Sequence, residues 1–320
     1  MLKKLFFLSA FALIGATACA WTPDIPREDL SAEYLAQPSD LVKVEDAILH
    51  VRDTGPREAS PVILIHGFGS SLHTWEDWAT VLEQDYRVIR FDMPGAGLSP
   101  PDPQRDYTDA RVIALLASLM DQNGIERATL IGNSIGGRIA WTMASAYPER
   151  VEKLVLVSPD GFASPSFGYG EATKAPAILH ASKYFLPRWA LRPNLEVAYA
   201  DPEKLSDQTV ERYHDLLLAP GNRGALIDRM EQTILTDPVP RLEAIDAPVL
   251  LLWGQEDGLI PVTNSQDYLD ALPNARLVTL PGVGHLPMEE APKQSLVPVL
   301  EFLSESTRVP KADDAGTLSN

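Results

Sequence analysis

Runs of apolar side chains long enough to cross a buried sheet recur along the chain at intervals that leave room for helices between them. Residues 61–65, Pro-Val-Ile-Leu-Ile, contain no polar position, the pattern of a strand covered on both faces of a parallel sheet. Comparable runs lie at 87–91, 128–131, 154–157, 249–253 and 276–280. Two strand-like stretches at 41–44 and 47–52 are separated only by Glu45-Asp46, which predicts an initial hairpin. Stretches at 77–84, 107–122, 138–147, 265–271 and 292–304 predict helices. Strands alternating with helices place the chain in the α/β class, with a mostly parallel eight-stranded sheet flanked by helices.

The alternation breaks once, between 160 and 241, where no buried-strand run occurs and the pattern predicts helices at 177–185, 195–200, 207–218 and 223–235. Pro176, Pro187, Pro193, Pro202 and Pro220-Gly221 divide this stretch into short pieces suited to a helical cap over the C-terminal edge of the sheet. The expected organisation is a leader at 1–20, a polar lead at 21–40, a core at 41–159 and 242–305, a cap at 160–241 inserted after the sixth strand, and a polar tail at 306–320. Internal repeats and Gly-rich phosphate-binding loops are absent from the sequence.

Composition narrows the partners. The formal net charge of −17 disfavours nucleic acid and anionic lipid surfaces, so membrane attachment would require an apolar or covalent anchor. The N-terminus offers one: Met1-Leu2-Lys3-Lys4, an apolar run at 5–14 and then small residues have the layout of an export signal. Cys19 is the only cysteine, which excludes an intramolecular disulfide. Its place after Ala16-Thr17-Ala18 resembles the lipid-attachment cysteine of bacterial lipoproteins, although those signals favour Leu where Ala16 stands. Ala18-Cys19-Ala20 equally fits ordinary cleavage, so lipidation at Cys19, plain secretion and an uncleaved anchor are all open. The expected location is a bacterial cell envelope, lipid-anchored or periplasmic.

Candidate chemistry centres on Gly132-Asn133-Ser134-Ile135-Gly136-Gly137, which joins a strand run to a helical stretch. A serine on such a turn is pushed outward as a nucleophile, and the glycines admit neighbouring backbone where a Cβ would collide. Serine needs a base, and the base needs a group that fixes its tautomer. His285, in the Gly-rich loop after the last strand, is the predicted base, whereas His50, His180 and His214 lie in the hairpin and cap. Asp257, in Gly254-Gln255-Glu256-Asp257-Gly258 after the seventh strand, is the predicted acid, with Glu256 and Asp160 as alternatives. His66-Gly67-Phe68-Gly69 follows the third strand, and the backbone N–H groups of Phe68 and Ile135 are the predicted oxyanion donors. His66 itself is expected to organise its loop.

With these motifs in the order Ser134, Asp257, His285, the chain resembles the α/β-hydrolase superfamily with a helical cap, over residues 41–304. Asp92-Met93-Pro94-Gly95-Ala96-Gly97-Leu98-Ser99 resembles that family's Asp-x-Pro-Gly-x-Gly-x-Ser loop, with Ala96 where many relatives carry His or Phe. The resemblance implies a serine esterase acting through an acyl-enzyme on small to medium, largely uncharged ester substrates. The Gly-Asn-Ser-x-Gly-Gly elbow also resembles that of meta-cleavage product hydrolases, which cleave carbon–carbon bonds, but Leu286 stands where those enzymes usually have Trp and their cap arginine has no secure match in Arg188 or Arg192. Acyl transfer and perhydrolysis use the same triad, while a non-catalytic binding protein is disfavoured by the complete set of residues. Tyr184, Phe185, Trp189, Tyr199 and Tyr213 are candidates for lining a pocket. No cofactor and no metal are expected, since His and carboxylates lack ligand spacing. Oligomeric state is not legible.

Overall fold

The computed structural model describes residues 21–163 and 168–305. The leader, with Cys19, and the tail lie outside the described residues. Eight strands, β1 (Leu41–Val44), β2 (Ala47–Thr54), β3 (Pro61–Ile65), β4 (Arg87–Phe91), β5 (Ala128–Asn133), β6 (Val151–Val157), β7 (Val249–Gly254) and β8 (Ala275–Leu280), form one sheet. Their order is β1-β2-β4-β3-β5-β6-β7-β8. β2 is antiparallel to both β1 and β4, and the remaining neighbours run parallel.

The unbroken apolar runs follow from burial on two sides. Successive side chains of a strand point to opposite faces. Ile63 and Ile65 of β3, with Leu251 and Trp253 of β7, therefore join one core cluster, while Val62, Leu64, Leu250 and Leu252 join the other. Each fully buried aliphatic side chain contributes about 1.5–3 kcal/mol, so a polar residue on either face is costly.

Helices complete both layers. A short helix, α1 (Arg27–Tyr34), precedes the sheet, followed by α2 (Glu76–Leu82), α3 (Asp109–Gln122) and α4 (Ile135–Ala146). The insertion after β6 contributes α5 (Ala177–Ser182), α6 (Arg188–Glu196), α7 (Asp207–Leu217) and α8 (Asn222–Gln232). The chain then forms α9 (Val239–Leu242), α10 (Ser265–Ala271), α11 (Pro287–Glu290) and α12 (Pro292–Ser304). Val112 of α3, Trp141 of α4 and Tyr268 of α10 fill the first cluster, whereas Trp78 of α2 and Val299 of α12 fill the second. None of the helices among the described residues is long and apolar enough to cross a membrane.

Two elements differ from the sequence pattern. Of the helix expected at 195–200 only Leu195 and Glu196 are helical: α6 begins at Arg188, runs through Pro193 and ends at Glu196. Pro193 removes one backbone bond, while α6 buries Leu191 and packs against α7. The lead contains α1, whose polar sequence buries only Leu30 and carries little amphipathic signal. It is positioned from outside: Arg27 donates to Leu98 O (3.1 Å) and Pro220 O (2.8 Å), bridging a core loop and the cap.

Candidate active site

Ser134 occupies the turn between β5 and α4 with φ 55° and ψ −121°. A non-glycine residue there stores strain on the order of 1–3 kcal/mol. Its neighbours hold it in place: the Ser134 N–H donates to Val157 O (3.1 Å), and its carbonyl accepts from the Asp160 N–H (3.0 Å). Glycine is required on both sides because a Cβ at Gly132 would lie 2.2 Å from Gly136 O, and one at Gly136 would lie 2.2 Å from Ile65 O. Helix α4 therefore starts at Ile135, earlier than the glycine-poor stretch suggested, and presses directly against β3 and β5.

The chain ends of β7 and β8 bring Asp257 and His285 together. His285 Nδ1 lies 2.7 Å from Asp257 Oδ2, and both side chains are buried. The other carboxylate oxygen, Oδ1, accepts the N–H groups of Leu259 (2.9 Å) and Ile260 (2.8 Å). With Nδ1–H given to the carboxylate, Nε2 is left as the basic nitrogen. The alternative acids are engaged elsewhere: Glu256 accepts from Val283 N–H (3.1 Å), and Asp160 pairs with Arg138 (2.7 Å). Asn133 ties the serine turn to the histidine loop, since its Nδ2 donates to both Val157 O (3.2 Å) and His285 O (3.1 Å).

Phe68 and Ile135 line the same cavity, of about 260 Å³, which opens between the sheet edge and the cap. Neither residue's N–H donates to a backbone acceptor among the turn and loop hydrogen bonds of the described residues. His66 sits behind this loop as expected of an organiser: its Nε2 accepts the Met93 N–H (3.0 Å), so its Nδ1–H donates to Gly67 O (2.8 Å). Burial pushes the pKa of this imidazole down, which keeps it neutral. The rest of the cavity wall is largely apolar and includes Phe162, Met230, Leu235 and Ile260. One guanidinium, Arg138, reaches it. Arg138 donates to Asp160 through Nη1 (2.7 Å) and to Asp109 through Nη2 (3.2 Å). Burial opposes its charge, but the two carboxylates outweigh that and hold it above its ordinary pKa.

The family described as alpha/beta hydrolase fold matches residues 60–292. This chain belongs to the α/β-hydrolase family. Over 258 residues it is 30% identical to the 2-hydroxy-6-oxo-6-phenylhexa-2,4-dienoate hydrolase of Comamonas testosteroni, covering 76% of this chain and 86% of that one. It is also 30% identical over 266 residues to the dihydrolipoyllysine-residue acetyltransferase component of the acetoin cleaving system of Pseudomonas putida, covering 82% of this chain and 68% of the relative. A meta-cleavage product hydrolase from Pseudomonas fluorescens shares the fold, with a TM-score of 0.71 at 24% identity over 82% of this chain and 98% of that one.

Two buried carboxylates outside the predicted triad brace the loops around the site: Asp92, from the Asp-x-Pro-Gly motif, and Glu290, which carries no local sequence signal. Asp92 is fully buried, paired with His50 Nδ1 (2.7 Å), and accepts the N–H groups of Leu72 (2.6 Å) and Leu98 (2.9 Å). Burial alone would raise its carboxyl, but the adjacent His50, with His66 and His73, brings it down to about 2. The Asp-x-Pro-Gly loop is thus held by its aspartate as well as by its turn. Glu290 accepts Gly284 N–H (2.6 Å) and also Ala200 N–H (3.2 Å) and Asp201 N–H (2.8 Å), which staples the histidine loop to the cap. The His285 N–H adds a bond to Ala198 O (2.7 Å).

The cap aromatics require correction. None of the five lines the 260 Å³ cavity, although Tyr213 lines a smaller pocket beside Gly69 and Ser70. Tyr199 and Tyr213 donate to Glu289 at 2.7 and 3.3 Å, while Tyr184, Phe185 and Trp189 are exposed. Helical position alone does not reveal which way a cap side chain faces, because the cap's orientation is set by long-range bonds such as those of Glu289 and Glu290. Among the described residues, no three His, Cys, Asp or Glu side chains converge to hold a metal ion.

Proposed function

We propose that this hydrolase cleaves carboxylic esters of small to medium, largely uncharged substrates. Ser134 Oγ attacks the ester carbonyl, and His285 Nε2 takes its proton and passes it to the departing alcohol. Asp257 fixes the imidazole tautomer and stabilises the imidazolium. The oxyanion is met by the N–H groups of Phe68 and Ile135, each worth on the order of 3 kcal/mol in the transition state. Water then releases the acyl group by the same route in reverse. The envelope is the proposed location, reached through residues 1–20, with Cys19 as the candidate lipid site.

The observation that carries the ester reading is the neutralised guanidinium. A dienoate substrate, such as that named for the Comamonas relative, presents a carboxylate. Among the described residues lining this cavity, the one cation, Arg138, already faces two carboxylates, so the trio bears a formal negative charge and repels an anion. Carbon–carbon hydrolysis is the second reading, favoured by the sequence similarity to that relative.

The two separate experimentally. Wild-type protein should label with a fluorophosphonate and hydrolyse neutral p-nitrophenyl esters, with both lost in Ser134→Ala. Turnover of a 2-hydroxy-6-oxo-dienoate with higher kcat/KM than the neutral esters would refute the ester reading. Asp160→Asn removes one negative charge, worth about 1.5 kcal/mol to an anion ~10 Å away at an effective dielectric of ~20. It should therefore raise the anionic-to-neutral substrate preference roughly tenfold.

A further inference from the structure

The loop that carries the Phe68 N–H is held from two sides, and only one of them belongs to the sheet core. On the core side the His66 ring donates to Gly67 O (2.8 Å), and further along Asp92 accepts the Leu72 N–H (2.6 Å). On the cap side Tyr213 of α7 reaches the middle of the loop, its hydroxyl 3.1 Å from Ser70 Oγ. Both residues are buried, Tyr213 at 7% and Ser70 at 8% exposure. Within the loop the Ser70 N–H donates to Gly67 O (3.3 Å), while the Phe68 N–H has no acceptor among the turn and loop hydrogen bonds of the described residues. Phe68 and the left-handed Gly69 (φ 67°) therefore lie between an anchor at Gly67 and an anchor at Ser70.

The bonds continue past Tyr213. Its hydroxyl also donates to Glu289 Oε2 (3.3 Å), and the same carboxylate accepts from Tyr199 Oη (2.7 Å) and Arg212 Nη2 (2.7 Å). A carboxylate taken out of water is costly unless donors meet it, and three cap donors do so here. A phenol has one hydrogen to give. With that hydrogen on the carboxylate, the Ser70 hydroxyl is the donor to Tyr213, so one phenol oxygen serves both the loop and Glu289. Glu289 stands in α11, four residues beyond His285. Tyr213 thus braces the loop of one oxyanion donor against the segment that carries the base.

We propose that Tyr213, acting through Ser70, is a positioning residue that keeps the Phe68 N–H aimed into the oxyanion hole. The inference rests on the assignment of Phe68 made with the ester reading above and adds the group that holds it. An oxyanion donor is effective only if it already points to where charge develops. Without the Tyr213 hydroxyl, Ser70 loses its buried partner, and a space of about 20 Å³ between the loop and Tyr213, Leu216 and Leu226 of the cap lets the segment shift. Since the carbonyl oxygen gains its charge in the transition state, the loss falls on kcat rather than on KM.

Removing single hydroxyls tests it. Tyr213→Phe keeps the ring and should lower kcat on a neutral p-nitrophenyl ester about tenfold, the scale of one buried hydrogen bond, with KM within about twofold. Fluorophosphonate labelling should slow by a similar factor. Ser70→Ala, which leaves Tyr213 on Glu289, should do the same, and the double variant should be no slower than either single one. Tyr199→Phe removes a bond to the same carboxylate without touching the loop and should keep kcat within about twofold. Tyr213→Phe with wild-type kcat and labelling would overturn the inference, as would losses that multiply in the double variant. Equal impairment of Tyr199→Phe and Tyr213→Phe would also overturn it, by reducing the network to a general brace for the cap. Wild-type protein that labels but turns over no ester would refute the ester reading alone, because the labelling rates of the same variants still report on the hole. Wild-type protein that does not label would overturn both.

Discussion

Replacing Asp257 by Asn tests the acid–base pair with almost no change in shape. In the folded chain Oδ1 accepts two backbone N–H groups, from Leu259 and Ile260, while Oδ2 faces His285 Nδ1 at 2.7 Å. An Asn side chain has one acceptor oxygen and one NH2. Its oxygen must take the Oδ1 place, because an NH2 there would confront two amide hydrogens at 2.8–2.9 Å. The NH2 then faces His285, which can meet it only as an acceptor at Nδ1, with the ring proton moved to Nε2. That tautomer cannot take a proton from Ser134. A loss of kcat of about 10⁴, near 5.5 kcal/mol of transition-state stabilisation, is expected, as for other triads with the wrong tautomer. Saturation kinetics on a neutral p-nitrophenyl ester would show kcat falling with KM little changed, and the melting temperature should stay within a few degrees of wild type. Glu256→Gln, whose carboxylate holds the Val283 amide instead, serves as the control and should keep kcat within a few-fold. If Asp257→Asn kept kcat within tenfold of wild type, the tautomer argument and the assignment of Asp257 would both fail.

Two further outcomes follow from packing and from buried charge. Gly132→Ala places a methyl 2.2 Å from the Gly136 carbonyl oxygen, a backbone atom that cannot rotate away, so β5 and α4 must part. A cost of about 1–3 kcal/mol or more and a clear fall in calorimetric melting temperature and in turnover are expected, and a variant with wild-type values of both would contradict the close approach. Asp92 titrates near 2 when folded, below the ordinary 3.8, so its pairing contributes stability above about pH 4 that is lost as pH falls through 2. A shift of this size corresponds to about 2 kcal/mol, and Asp92→Asn should be less stable at neutral pH but lose melting temperature less steeply between pH 4 and 2.

The candidate catalytic positions stand out in the sequence because their signals are local. Strands buried on two faces must be apolar throughout, as at Val62 to Ile65, and the loops at their C-terminal ends gather on one edge whatever the flanking helices do. Ser134, Asp257, His285 and Phe68 each lie just beyond such a strand. What was not legible depends on contacts made across the chain. Arg138, one turn past Ser134, gives no sign in the sequence of what neutralises it. Its partners come from elsewhere: Asp109 opens α3 and Asp160 follows β6, and together they reverse the sign of that end of the cavity. The tyrosines of the cap mislead for the same reason, since Tyr199 and Tyr213 turn to Glu289 while Tyr184 and Trp189 turn to solvent. Attack chemistry is thus written in residues a few positions from a strand end, whereas selectivity is written in pairs separated by tens of residues. Relatives at 30% identity can therefore share the first and differ in the second.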